Sequence, residues 1–591
     1  MSVNAEIARL LEETAAMMEI LGKNRFRVAA LERASRIIAG LPDDLSTRAQ
    51  DRAALTAVDG IGEKIADKIQ EFVATGRIAE HAEYAERLPA GLIDLLKVPG
   101  LGPKTIGVLW REKGITGAED LRRIIEDGSI LDLPRMGPKT VENIKRALEF
   151  TERSGERTPL GLALPIAERI VRALEATGAA SRVAWAGSLR RGRDTVGDID
   201  ILAAAADTDA ISETFRTSPG VEEVLAAGAT KSSVRLRLTQ EPQSRLIQVD
   251  LRVVPDGAFG AALLYFTGSK DHNVSLRERA RARSLTLNEY GLFPEDNEPT
   301  PPQSRGVEPL AAATEEAIYR ALDLPFIPPE IREDRGELDL APDNAPPLIE
   351  QADIRAELHA HTTASDGALS IEDLAREAKR CGFHTLAVTD HSKSQTVANG
   401  LSAERLREHV AAIHRANTRI KGVTILAGAE VDIHADGSLD YDDDTLGLLD
   451  IVVASPHWAL TQKPAQATAR LLRAIEHPLV DIIGHPTGRL IAKREGLSPD
   501  ITELAHAAAE HDTALEINAH WRRLDLRDAH VRAALKAGAL IAIDCDVHHP
   551  EDFDNLRYGV MTARRGWLTA DRCVNAWSAR RLHTWLRSRR S

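Results

Sequence analysis

The sequence predicts a multidomain fold with three architectures in series: a helical N-terminal region, an α+β middle and a C-terminal barrel of seven β/α units. Three observations predict it. Val58-Asp59-Gly60-Ile61-Gly62-Glu63-Lys64-Ile65 recurs as Val98-Pro99-Gly100-Leu101-Gly102-Pro103-Lys104-Thr105 between helical stretches, with a weaker echo over Leu133–Thr140. Two strand-like runs in the centre carry aspartates, in Gly197-Asp198-Ile199-Asp200 and in Gln248-Val249-Asp250. From residue 353 onward, seven apolar runs alternate with helical stretches, and almost every run ends in a histidine or an acid.

A chain of 591 residues exceeds what one hydrophobic core supports, so three to five domains are expected. Three cysteines (Cys381, Cys545 and Cys573) give no disulfide framework and point to a reducing cytoplasm. The N-terminus carries Glu6, Glu12 and Glu13 where a signal peptide would be basic. No apolar run approaches the ~20 residues of a membrane span, so no membrane partner is expected. The net charge of −14 excludes a simple basic nucleic-acid binder. Residues 1–150, 151–330 and 331–591 each hold more acidic than basic side chains. Metal-binding carboxylates account for part of that acidity, because bound cations cancel them. Any contact with a polyanion would then rest on local clusters and backbone amides.

In the first repeat the glycines permit a tight turn, and its amides, with the helix N-terminus behind them, point at a phosphate oxygen. These repeats resemble helix-hairpin-helix motifs, which grip the DNA backbone without reading sequence. The resemblance implies DNA contacts at Gly60, Gly62, Lys64, Gly100, Gly102, Lys104, Gly137 and Lys139; the third copy has Arg135 at the first glycine position. Ile65–Phe72 is similar to the small lyase domain at the start of DNA polymerase beta, which makes Lys68 the Schiff-base lysine. A lysine nucleophile needs desolvation or a neighbouring cation, which Lys64 can supply from one turn earlier. Leu31 stands where that family has a tyrosine.

In the middle region, strand period two puts Asp198 and Asp200 on one face, about 6.6 Å apart along the strand. Two short carboxylates at that spacing can hold a pair of hard cations roughly 3.5–4 Å apart. Asp250 on the next strong strand is a further oxygen ligand. Upstream, Gly187 lets backbone approach a ligand, Ser188 donates, and Arg190, Arg191 and Arg193 can face phosphates. This pattern resembles the nucleotidyltransferase palm of family X DNA polymerases, the polymerase beta group. The resemblance implies Asp198, Asp200 and Asp250 as a triad for Mg²⁺ or Mn²⁺, with Gly187, Ser188, Arg191 and Gly197 around an incoming triphosphate. Leu264–Asn273, leading into Arg277, matches the family's nucleotide-selection segment in position and order. There Tyr265 and Phe266 lie against the sugar beside Gly268, and Asn273 and Arg277 face the minor groove. Lys270 stands where the beta enzyme has an acid.

The C-terminal runs end successively in His359-Ala360-His361 (with Asp366 just after), Asp390-His391, Glu430, His457, His485, Glu516-Ile517-Asn518 and Asp546-Val547-His548. Polar groups at the carboxyl ends of seven strands describe a small barrel with its site at that mouth. Imidazole mixed with carboxylate suits zinc, manganese or iron better than magnesium alone. This part resembles the PHP (polymerase and histidinol phosphatase) fold. The match implies His359, His361, Asp366, His391, Glu430, His457, His485, Asp546 and His548 as ligands of two or three ions, Mn²⁺ and/or Zn²⁺. His384, His434, His477 and His549 fall outside the pattern.

Taken together, the motifs resemble a bacterial family X DNA polymerase with a C-terminal PHP nuclease. That resemblance divides the chain into a lyase-like helical domain (1–85), a fingers-like helical domain (86–155), the palm (156–255), a thumb-like nucleotide-selection domain (256–330), a charged, proline-bearing linker (331–352) and the PHP domain (353–591). It implies a DNA-directed DNA polymerase with a 3′–5′ exonuclease or abasic-site endonuclease, filling short gaps in base excision repair. Implied partners are gapped or primed duplex DNA and deoxynucleoside triphosphates, for a monomer in the cytoplasm at the nucleoid. Open alternatives are a catalytically idle barrel, a barrel acting on small phosphoesters, and a nucleotidyltransferase for RNA or protein.

Overall fold

The structure, a computed structural model, describes residues 3–590 apart from 42–44, 59, 99–100, 135, 139, 142–143, 146–147, 149–156, 240–243 and 297. The chain divides into two compact units, residues 1–156 and 157–591.

The first unit is helical. Val3–Ile20 packs on Arg25–Gly40, whose first turn is closed by the Asn24 side chain accepting from the Phe26 amide. Ile7, Leu11, Met18 and Ile38 form the dry seam. All three hairpins close with the same pair of backbone hydrogen bonds. The amides of Ile61, Leu101 and Met136 donate to the carbonyls of Val58, Val98 and Leu133, at 3.0, 3.0 and 3.1 Å. The amides of Ala66, Ile106 and Val141 donate to the carbonyls of Gly62, Gly102 and Gly137, each at 3.0 Å. The third copy therefore folds like the other two, because backbone bonds and buried apolar residues (Leu133 and Met136) define the turn. Gly60 sits at φ +82°, and a Cβ there would lie 2.1 Å from Ile37 Cδ1. Gly100 and Lys139 lie outside the described residues.

In the second unit, a five-stranded sheet runs in the spatial order Ala180–Trp185, Ile199–Ala205, Leu246–Val254, Lys231–Arg237, Val221–Ala227. The second and third of these are parallel to each other, and every other pairing in the sheet is antiparallel. Strict alternation decides the faces: Ile247, Val249, Leu251 and Val253 enter the core with helix Leu160–Ala176, leaving Asp250 on the other side. Helices Phe259–Thr267 and Lys270–Arg281, the hairpin Leu285–Asn288/Gly291–Pro294 and helix Glu315–Ala321 follow.

The C-terminal part is a seven-stranded parallel sheet in sequence order, from Ala356–Glu357 through Thr385–Val388, Thr424–Asp432, Ile451–Ser455, Ile482–Ile483 and Ala514–Asn518 to Leu540–Asp544. A parallel bridge between Ala360 and Val547 joins the ends of the first and last strands and closes the barrel. Near-continuous apolar strands with helices outside are what burial on both faces requires.

Residues 331–352 are not a free linker. Arg332, Glu337 and Ile349 are fully buried, and Arg335 pairs with Asp528 of the barrel at 3.1 Å. Arg332, Glu333, Arg335 and Glu337 are paired with Glu315, Arg565, Asp528 and His272. The central sheet and the barrel also share a core: Leu524 and Tyr558 belong to the apolar cluster of Leu160, Val196 and Ile201. A Cβ on Gly161 would lie 2.3 Å from Trp521. Among the described residues no helix is long and apolar enough to cross a membrane.

Candidate metal centres

The parallel pairing of Ile199–Ala205 with Leu246–Val254 sets Asp200 directly opposite Asp250. With Asp198 they offer three carboxylate oxygens within 4.8 Å of one another. Desolvation, then the charges of Asp198 and Asp250, push the Asp200 carboxyl up to about 7. Asp198 shifts upward too, through desolvation and Asp250. Three carboxylates that repel one another in this way form a site that a divalent cation relieves. Gly187, at φ +62°, makes the close approach possible: a Cβ there would lie 2.5 Å from Asp200 Oδ2.

The residues expected around a triphosphate come together beside this triad. Arg191 donates to the Thr267 carbonyl, and a Cβ on Gly268 would lie 3.2 Å from its Nη1. Its Nε also pairs with Glu333 at 3.1 Å. Ser188 is half-buried in the same turn, and Gly197 runs past Arg157. Tyr265 is exposed and meets Phe266 edge-on at 5.1 Å, while Arg252 stacks over Phe266 at 4.6 Å. Asn273 Nδ2 donates to the Tyr265 carbonyl at 2.7 Å, and Arg277 Nε to the Asn273 carbonyl at 3.1 Å. Arg190 departs from expectation. Its guanidinium grips Glu315 at 2.6 and 2.8 Å and Thr267 Oγ1 at 2.7 Å, so it braces the fold and does not face a phosphate.

At the barrel mouth the nine predicted ligands converge. Three groups have donor atoms within 4.8 Å of one another: His361, Asp366, His391 and His548; His359, His361 and Asp546; and His391, Glu430 and His457. His485 Nε2 joins them 2.9 Å from Glu430 Oε1. His359 Nε2, His361 Nδ1 and Glu430 Oε2 are buried with no hydrogen-bond partner among the described residues. Buried nitrogens and oxygens of this kind, converging on one barrel mouth, fit divalent cations. Burial, with His548 and His391 nearby, pushes His361 down to about 4, and burial with Arg523 takes His485 to about 3. Burial opposes protonation of His391 and His548 as well, but Glu430 and Asp366 lift the first to about 10, and Asp366 and Asp546 the second to about 9.

Two residues outside the predicted set orient it. Glu516 Oε1 accepts from or shares a proton with His359 Nδ1 at 2.6 Å, and Asp432 Oδ1 does so with His457 Nδ1 at 2.6 Å. Such carboxylates fix the ring tautomer and aim the other nitrogen into the site. Both carry a sequence signal: Glu516 opens the Glu516-Ile517-Asn518 triplet that closes a strand, and Asp432 lies two residues beyond Glu430, on the same face.

In the helical unit, the amide ends of helices Glu63–Thr75 and Pro103–Lys113 follow Gly62 and Gly102, which face open space. Lys64 and Lys104 are exposed at these ends. Lys68 is ion-paired with Glu80 at 2.5 Å, a carboxylate it shares with Arg27. Its nearest charge is thus an acid, where Schiff-base chemistry asks for a cation.

Known proteins resemble this chain along its whole length. Family models match a helix-hairpin-helix domain at residues 2–78, a SAM-like helix-hairpin-helix tandem at 92–149, a DNA polymerase beta thumb at 262–333 and a PHP domain at 357–520. DNA polymerase lambda of Rattus norvegicus is 25% identical over 47% of this chain and 48% of its own length. A probable phosphatase of Thermoanaerobacter sp. (strain X514) is 30% identical over 37% of this chain and 88% of its own length, which is a likeness to one part only. The DNA polymerase/3′-5′ exonuclease PolX of Bacillus subtilis (strain 168) is 38% identical over 98% of this chain and 99% of its own. A likeness of that extent, spanning the helical unit, the aspartate triad and the histidine ring alike, places the chain in the PolX family of bacterial family X DNA polymerases with a C-terminal PHP domain.

Proposed function

We propose that this protein is a DNA-directed DNA polymerase with a 3′–5′ exonuclease in its PHP domain, and that it fills short gaps during base excision repair in the cytoplasm as a monomer. One observation carries the reading: a single chain, similar end to end to a DNA polymerase/3′-5′ exonuclease, holds two separate ligand clusters suited to divalent cations. Asp198, Asp200 and Asp250 would hold Mg²⁺ or Mn²⁺, and the barrel ring Mn²⁺ and/or Zn²⁺, which would supply charge neutralisation at phosphate oxygens and polarisation of the attacking oxygen. The rest falls to the protein. Asp250, opposite Asp200, is placed to accept the proton of the primer 3′-hydroxyl. The 3′-oxygen bonds to the α-phosphorus and pyrophosphate leaves, with Ser188 and Arg191 as donors. Arg191 exchanges its Glu333 pair for the triphosphate, and Tyr265 and Phe266 press on the sugar. Asn273 and Arg277 line the minor-groove side, and the hairpin amides with Lys64 and Lys104 hold duplex phosphates.

In the barrel, the ring hydrolyses the terminal phosphodiester of a strand, releasing nucleotides from its 3′ end. A role for Lys68 as lyase nucleophile has only its sequence position in its favour; its pairing with Glu80 favours a structural part. The likeness of part of the chain to a probable phosphatase supports a second reading, in which the barrel acts on small phosphomonoesters.

The test is a labelled one-nucleotide gap incubated with Mg²⁺ or Mn²⁺, with and without deoxynucleotides. The proposal predicts one-nucleotide extension with nucleotides and shortening from the 3′ end without them. Extension without any shortening, together with hydrolysis of a small phosphomonoester, would favour the second reading.

A further inference from the structure

The barrel mouth opens on a cavity of about 230 Å³ whose wall includes candidate ligands from several strands, Val397 and Arg523. Arg523 is the only lysine or arginine on that wall among the described residues. Its nearest acid is Asp546, whose Oδ2 lies 3.8 Å from Nε, beyond hydrogen-bonding distance. Three other arginines of the barrel are engaged. Arg489 pairs with Asp194 at 3.1 Å, Arg494 donates to the Gly488 carbonyl at 2.8 and 3.0 Å, and Arg405 donates to the Ala364 carbonyl at 2.8 Å. The backbone of Arg523 is fixed: its amide and that of Leu524 both donate to the His520 carbonyl, at 2.7 and 3.1 Å. A guanidinium on a fixed stretch of backbone, 21% exposed beside a cluster built for cations and no closer than 3.8 Å to its ion-pair partner Asp546, is matched in shape and charge to a phosphate.

We propose that Arg523 is the phosphate-binding residue of the barrel site and takes two non-bridging oxygens of the phosphoester presented there. This rests on the reading of the barrel as a phosphoesterase. On that reading the group presented is the phosphoester at a strand end.

The test compares full-length protein with Arg523→Ala and Arg523→Lys, each loaded with Mn²⁺. Metal content is measured after gel filtration, and gap filling reports on folding. Affinity for thymidine 5′-monophosphate is measured by calorimetry in an Asp250→Ala background, which removes the polymerase site. We expect unchanged metal content and gap filling, a 10- to 100-fold weaker affinity (on the order of a charged hydrogen-bonded pair) in the alanine variant, and partial recovery with lysine. The exonuclease KM should rise with the same order. Loss of metal along with affinity would make Arg523 a mere counter-charge to Asp546 and overturn the proposal. Equal nucleotide affinity in wild type and Arg523→Ala, or no binding by loaded wild type, would also overturn it. An active exonuclease with Arg523-independent binding sinks this assignment alone. An inactive one with Arg523-dependent binding sinks the nuclease reading alone.

Discussion

Glu315 lies between two arginines, with Arg332 Nη1 and Arg190 Nη2 each 2.6 Å from a different oxygen of its carboxylate. Burial opposes its charge, but Arg332 and Arg190 hold the carboxyl down to about 2. Removing one member strands buried charge, so Glu315→Gln should destabilise the second unit by about 3–5 kcal/mol at neutral pH, measured by urea denaturation. The sign of the pH effect follows from the lowered value. Stability is present above the ordinary carboxylate range near 4.5 and is lost as pH falls towards 2. The variant should therefore lose less than wild type on acidification, and an identical acid slope would contradict this role. Arg190 reads in sequence as one of three arginines before a metal motif, and nothing local separates it from Arg191. What separates them is Glu315, which is 125 residues away from Arg190. The triad itself is legible because strand period and parallel pairing decide its geometry locally. Arg523 is not, since its meaning depends on which acids its loop leaves unpaired.

Among elements, the three hairpins show how a weak sequence echo can be a full structural copy. Only the backbone bonds and two apolar positions are needed, so losing a glycine at 135 does not erase the motif. Gly60 and Gly62 nonetheless differ in kind. Gly60→Ala places a Cβ at φ +82° against Ile37 and should destabilise the first unit by about 1–3 kcal/mol. Gly62 faces open space with φ −78°, so Gly62→Ala should leave thermal stability nearly unchanged and weaken DNA binding. Lys64→Ala and Lys104→Ala should each lower the slope of log affinity against log salt by about 0.9, read by anisotropy on gapped duplex. A slope unmoved by both changes would place the DNA elsewhere. The seven β/α units are legible for the same reason as the triad: each strand is an apolar run, and each ends in a ligand-type residue.

At the scale of the molecule, the central sheet and barrel do not behave as beads on a string. Composition over 331–352 suggests a spacer, because sequence shows charges but not the buried partners that neutralise them. Leu524, Tyr558 and Trp521 complete the core beneath the aspartate triad, and Arg565 joins Glu333 at 2.9 Å and Asp528 at 2.8 Å. Truncation after residue 335 should therefore yield a polymerase half that unfolds at lower urea than the intact protein, and Trp521→Ala should shift it the same way. The central claim is that two cation sites in one chain do separate chemistry on DNA. The most direct measurement runs Asp250→Ala and His359→Ala side by side on a labelled gapped duplex with Mn²⁺. The account predicts that the first loses extension by at least 100-fold (about the scale of a lost catalytic group) and keeps 3′ shortening, while the second does the reverse. Loss of both activities in either variant, with folding intact by circular dichroism, would contradict it.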